Sequence, residues 1–156
     1  MPNVQSTYTE NLRVGVAGQR ANMEPVDLIS RSVEDVAGLG FGIVVQQGAG
    51  DKGCTSDLNT AAMDAYKFLG VTMRERGVNP ETPNGWAKGE SALIMRKGVI
   101  WVQVDGAVAA GNDVTVTLAT GKLGTKAVAA GIIAIPNARW ETSAADLGLA
   151  QLRLSN

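Results

Sequence analysis

Gly48-Ala49-Gly50-Asp51-Lys52-Gly53 has the spacing G-x-G-x-x-G and follows an apolar run, Phe41-Gly42-Ile43-Val44-Val45-Gln46. In dinucleotide-binding folds such glycines let the backbone approach a pyrophosphate, and the third opens into a helix whose N-terminal amides hold the anion. An acidic residue about twenty positions on, here Glu75, is where a ribose partner is wanted. The chemistry stops there. Gly53 leads into Cys54-Thr55-Ser56-Asp57, which is polar and turn-like and sets an extra anion beside the expected phosphates. The segment therefore reads as a loop.

The other chemical candidates fail in similar ways. The chain has no histidine, which removes Ser-His-Asp and Cys-His machineries and the commonest transition-metal ligand. Paired carboxylates, as in a glycosidase, need a cleft floored by aromatic platforms, and aromatics make up only 4% of the sequence. Asp105 before Gly106 and Asp113 after Asn112 occupy positions that turns favour. Their spacing matches no calcium loop. Cys54 is the single cysteine, so it forms no intramolecular disulfide and reads as an inert small residue. No catalytic, cofactor or metal residues are expected, and the chain does not read as an enzyme.

The elements that would position such residues are short strands. Valine and 19 glycines in 156 residues favour strands and tight turns, enough for one domain with an arm. Met1 to about Val14 is polar with scattered apolar residues and reads as an extended arm or a frayed terminus, followed by a single β-rich domain over 15–156. Asp27–Val33 fits helix or strand, and Pro25 with the β-branched residues favours an extended segment. Phe41–Gln46 and Phe68–Glu75 read as strands. Asp57–Tyr66 is the best helix candidate, or a loop with one helical turn, and Gly77–Gly89 is a Pro/Gly-rich excursion loop.

Ala92–Met95 leads into a strand at Val99–Val104, and Val114–Leu118 alternates apolar and hydroxyl side chains as a half-buried strand does. Ile132–Ile135 is an apolar strand halted by Pro136. Leu149–Leu154 puts Ala150, Leu152 and Leu154 on one face. The expected fold is mainly β: a small barrel or sandwich with an extended N-terminal arm and at most one or two short helices. Trp101 reads as core. Trp86, in the Pro/Gly loop, and Trp140, between strands, are core or interface anchors. A net charge of −1 gives no electrostatic footprint for nucleic acid. No apolar run approaches the roughly 20 residues that span a bilayer, and the N-terminus lacks a signal-peptide pattern, so a soluble protein made in a reducing cytoplasm is expected.

The closing stretch Ala138-Arg139-Trp140-Glu141-Thr142-Ser143-Ala144-Ala145-Asp146-Leu147-Gly148, with its final strand, resembles the ending of tailed-phage structural cement proteins. Gly15-Val16-Ala17-Gly18-Gln19, Phe41–Val45, Phe68–Thr72, Lys97–Val104 and Ala110–Val114 agree in order with the same family of capsid-decorating proteins. The resemblance implies a β-rich fold without catalysis, seated at joints between capsid subunits. Its implied partners are the major capsid protein and copies of itself, as dimer or trimer, with no direct nucleic acid and no membrane. The implied location is the outer surface of the virion, after synthesis in the bacterial host cytoplasm. The residues expected at the capsid contact are Tyr8, Leu12 and Arg13 of the arm with Trp86 and Trp140. The competing reading is a soluble β-barrel module binding a small molecule or peptide, and a glycine-loop enzyme comes last.

Overall fold

A computed structural model describes residues 14–58, 67–75 and 84–155 of the chain. The described residues form eleven strands and no helix. In chain order these are β1 (Asp27–Val33), β2 (Leu39–Gly40), β3 (Val44–Gln47), β4 (Gly53–Thr55), β5 (Phe68–Thr72) and β6 (Gly85–Trp86). They continue with β7 (Ser91–Gln103), β8 (Asp113–Thr117), β9 (Lys122–Gly124), β10 (Ile132–Trp140) and β11 (Leu149–Ser155). Nine of them form one sheet in the order β1-β4-β3-β5-β7-β11-β10-β8-β9, and β1 pairs back onto β7. That return closes β1, β4, β3, β5 and β7 into a five-stranded barrel, as the mainly β reading expected.

The 13-residue β7 organises the molecule. Its first half, Ser91 to Lys97, pairs with β1, and Ile94 and Met95 also pair with β5. Its second half, from Lys97 to Gln103, pairs with β11 in antiparallel register. The sequence divides this strand into two runs around Arg96-Lys97-Gly98. The chain stays extended because Gly98, at φ +131°, admits Val26 and the Met95 sulfur where a Cβ would stand. Where β1 leaves β7, residues 18–21 take its place: Gly18 N–H donates to the Trp101 carbonyl at 2.8 Å and Ala21 N–H to the Val99 carbonyl at 2.9 Å. Gly15 lies flat on the Trp101 ring, 2.8 Å from where its Cβ would be.

The far strands also return toward β7. Leu123 of β9 bridges Val104, and the Asp105 N–H donates to the Leu123 carbonyl at 2.7 Å. One apolar cluster holds Ile100, Val102, Val114, Val116, Trp140, Ala150, Leu152 and Leu154 in this half and extends to Val44, Phe68 and Val71 of β3 and β5. The predicted face of the last strand is the one that packs here. A second cluster joins Val33, Val45, Cys54, Ala92 and Ile94 to Leu39, Phe41 and Trp86.

Several boundaries differ from the sequence reading. β10 does not stop at Pro136 but runs on to Trp140, because its register against β8 slips between Ala134 and Arg139. Proline is tolerated in such a bulge, where no ladder donor is required of it, and Asn137 adopts the left-handed conformation there, at φ 55°. The expected excursion loop ends in β6, which pairs with β2. The helix expected over Asp57–Tyr66 lies, apart from Asp57 and Leu58, outside the described residues, as does the arm before Val14.

Candidate functional site

The glycine motif is a hairpin between β3 and β4, with an anion from its own chain inside it. Glu34, just past the end of β1, turns its carboxylate into the loop. Oε2 accepts the Ala49 N–H at 2.7 Å and Oε1 accepts the Gly50 N–H at 2.8 Å. A Cβ on Gly48 would lie 2.4 Å from Glu34 Oε2, and one on Gly53 only 1.7 Å from Oε1. Both glycines are therefore required by close approach, as in a phosphate loop, but the charge they admit is a fixed carboxylate. The Ala49 and Gly50 amides are taken by this carboxylate and are not offered to a pyrophosphate. The dinucleotide reading fails because a side chain supplies the anion.

Asp35, the next residue, ties down β4 on the other side. Its Oδ2 accepts both the N–H and the hydroxyl of Ser56, each at 2.7 Å, and its Oδ1 accepts the Thr55 hydroxyl. Cys54 lies between these contacts, fully buried. Burial pushes its thiol up to about 11, and the Asp35 and Glu34 charges add to the effect. That is the inert cysteine expected, since the nucleophilic form is the thiolate.

Asp105 and Asp113 do not converge. Asp105 pairs with the Lys126 ammonium at 2.5 Å, and that hydrogen bond holds its carboxyl below the usual range. Asp113 sits opposite Arg139 in the β8–β10 register. Among the described residues no group of three His, Cys, Asp or Glu is placed to hold a metal ion.

A second charged cluster had no sequence signal. Arg153, on the partly exposed face of β11, takes Glu24 in a bidentate pair, Nη1 to Oε2 at 2.8 Å and Nη2 to Oε1 at 2.9 Å. Its Nε donates to Glu141, which also accepts from Arg139 Nε at 2.9 Å. These hydrogen bonds lower both carboxyls, Glu24 through Arg153 and Glu141 through Arg153 and then Arg139, and they raise the guanidinium. Because Glu24 follows the segment laid along β7, the pair fastens that segment to β11.

Trp86 and Trp140, read as core or as interface anchors and expected at the capsid contact, are in strands and buried. Trp86 of β6 is 4% exposed and stacks edge-on against Phe41, with ring centroids 4.9 Å apart. Trp140 ends β10 with no exposed surface, and its Nε1 donates to the Gly124 carbonyl at 3.3 Å. Both indoles have the apolar surroundings a buried tryptophan needs, and the Trp140 N–H also has its partner. They leave almost nothing for a second protein to touch. Trp101 is core, as expected. Tyr8, Leu12 and Arg13 lie outside the described residues. Among the described residues, the large apolar side chains that face solvent are Val14, Met23, Leu28, Val36, Val128 and Leu147. Val14 and Leu147 line one open hollow of about 620 Å³ with Gly15, Val16, Gln103 and Leu149.

A closed barrel with extra strands, glycines occupied by its own carboxylate and charges paired within the chain define a β-scaffold protein. The family described as structural cement protein (E217 gp24/Pam3 gp6) matches residues 4–155, and the chain belongs to that phage family. No curated protein sequence matches it. Among solved structures, a chain from the capsid of Myoviridae phage XM1 is similar over 100% of this chain and 99% of that one, with a TM-score of 0.71 and 15% identity. The N base of the phi29 head fibre gp8.5 shares 9% identity, with a TM-score of 0.44 over 84% of this chain and 95% of its own.

Proposed function

We propose that this protein binds the outer surface of a tailed-phage capsid and cements neighbouring major capsid protein subunits, stabilising the shell against internal DNA pressure. The observation that carries this reading is the cement-family match over residues 4–155. The architecture is consistent with it. Glu34, Asp35 and Arg153 direct their hydrogen bonds into pinning loops and the segment laid along β7, consistent with a stiff body. Decoration rewards stiffness, because modest contacts repeated by symmetry add through avidity only when little ordering is required on binding.

The contact surface belongs to exposed residues. The N-terminal arm, residues 1–14 with Tyr8, Leu12 and Arg13, is the segment proposed to reach a neighbouring subunit. Val14, the first described residue, lines the open hollow together with Leu147. The body is proposed to act as a dimer or trimer on the virion, without catalysis and without contacting nucleic acid.

Co-sedimentation with purified capsids lacking the protein tests the proposal. The full chain should pellet with assembled shells and not with unassembled subunits, and a chain shortened to begin at Val14 should pellet less. No pelleting of the full chain above background would sink the reading. A monomer that instead binds a small apolar ligand would favour the barrel-module alternative.

A further inference from the structure

β1 pairs with β7 from Asp27 to Ser32 but with β4 only at its end. Val33 N–H donates to the Glu90 carbonyl at 2.9 Å, and the antiparallel register continues that bonding side through Arg31 and Ile29, opposite Ala92 and Ile94. Residues of the other parity turn their backbone groups the opposite way. Ser32 N–H donates there to the Lys52 carbonyl at 2.9 Å, and the pairing with β4 covers Ser32 and Val33 alone. Leu28 and Ser30 therefore project their N–H and C=O groups past the beginning of β4, and among the described residues no strand pairs with them. The contact made on this edge is a long one, from Arg31 Nη1 to the Ser30 carbonyl at 3.4 Å. Both side chains are exposed, and Leu28 is one of the large apolar residues facing solvent. An edge with unpaired amides beside an exposed apolar side chain is a template for another strand.

The edge is complementary to itself. An antiparallel copy of β1 uses both free residues of both chains only when Ile29 faces Ile29 across a two-fold axis. Leu28 of each chain then stands opposite Ser30 of the other, and the two pairs exchange four N–H···O bonds. A register centred on Leu28 or on Ser30 makes only two bonds between these residues, and the second sets Leu28 against Ser32, whose N–H is taken by Lys52. Centring on Ile29 also puts Asp27 of each chain opposite Arg31 of the other, where opposite charges attract across strands. Both groups are available for this. The Asp27 side chain is 53% exposed and its ion pair with Arg96 is loose, at 3.9 Å. Arg31 takes part in none of the ion pairs found among the described residues. Backbone and charge complementarity choose the same register.

We propose that β1 pairs with β1 of a second copy, antiparallel about Ile29, and joins two barrels into a dimer whose sheet runs on across the two-fold axis. This deepens the self-association proposed above and rests on that part of the reading, not on capsid binding. The full chain, purified without capsids, should sediment as a concentration-dependent dimer in analytical ultracentrifugation. Ser30→Pro is the selective variant. The Ser30 N–H faces away from β7, so the folded chain loses no internal bond, while each copy loses one donor to the other and gains a ring in its way. Losing those two bonds should raise the dimer dissociation constant roughly tenfold or more, with circular dichroism checking the fold. Ile29→Cys reads the register independently. A non-hydrogen-bonded antiparallel pair holds its Cα atoms about 4.5 Å apart, within disulfide reach, so mild oxidation should give a covalent dimer that reductant reverses. A monomer at every concentration, a trimer, an unchanged dimer of folded Ser30→Pro, or a dimer of Ile29→Cys that does not cross-link would overturn the proposal. Sedimentation and capsid pelleting fail separately: a dimer that does not pellet sinks the cementing reading and keeps this interface, and a monomer that pellets does the reverse.

Discussion

Gly53→Ala is the sharpest test of the carboxylate-filled loop. The added methyl would sit 1.7 Å from Glu34 Oε1, so the carboxylate must leave. Gly53 does not adopt a positive φ, so the backbone itself would accept alanine. What is lost is the pair of bonds from Ala49 and Gly50 to Glu34, at 2.7 and 2.8 Å. Hydrogen bonds to a charged group contribute about 1.5–3 kcal/mol each, and at an exposed loop the lower end applies, giving about 3 kcal/mol together. For a chain of this size that lowers Tm by roughly 6–12 °C. Glu34→Ala removes the same two bonds and should cost a similar amount. The decisive measurement is the double variant, followed by urea unfolding. With the carboxylate gone the methyl has no opponent, so adding Gly53→Ala to Glu34→Ala should cost less than about 0.5 kcal/mol. If the two losses simply add, steric expulsion of Glu34 is the wrong explanation and Gly53 is needed for another reason.

Two further outcomes follow from the shifted groups. Cys54, pushed up to about 11, should resist a thiol reagent at pH 8, where on the order of one thiol in a thousand is ionised, and react fully only in denaturant; rapid stoichiometric labelling of the native protein would contradict its burial. Glu24 and Glu141 lie below the ordinary 4.5 in the folded chain, so their stabilisation is present above that value and lost as pH falls through the lowered folded values. Arg153→Met should flatten the fall in urea midpoint between pH 5 and the acid limit, on the order of the last few pH units of titration; an equally steep fall in the variant would show that the cluster does not stabilise the fold.

Much of the fold was legible because strands announce themselves locally. Ala150, Leu152 and Leu154 alternate with Gln151 and Arg153, and the structure buries the first set. The same local reading placed Trp101 in the core. It misplaced Trp140 because Pro136 looks like a strand terminator, and only the register slip between β8 and β10 shows how a strand passes through it. It cut β7 in two for the same reason: Gly98 signals a break until Val26 is seen filling its space.

The candidate sites were less legible still. Glu34 and Gly53 meet across the β1–β4 pairing, and Glu24 meets Arg153 from 129 residues away. Gln46 looks like an ordinary polar strand residue until its neighbours show that one end is satisfied and the other is not.

By itself, then, the sequence determined the strand periodicity, the glycine turns, the poverty of nucleophiles and ligands, and the resemblance to the cement family. All of these depend on residue type and short-range spacing. The tertiary structure decided that the glycine loop is filled by Glu34, that the tryptophans are interior and that the buried Gln46 Oε1 accepts no hydrogen bond. Those facts depend on which distant side chains share a volume, and pairing across a closed sheet sets that while no local pattern records it.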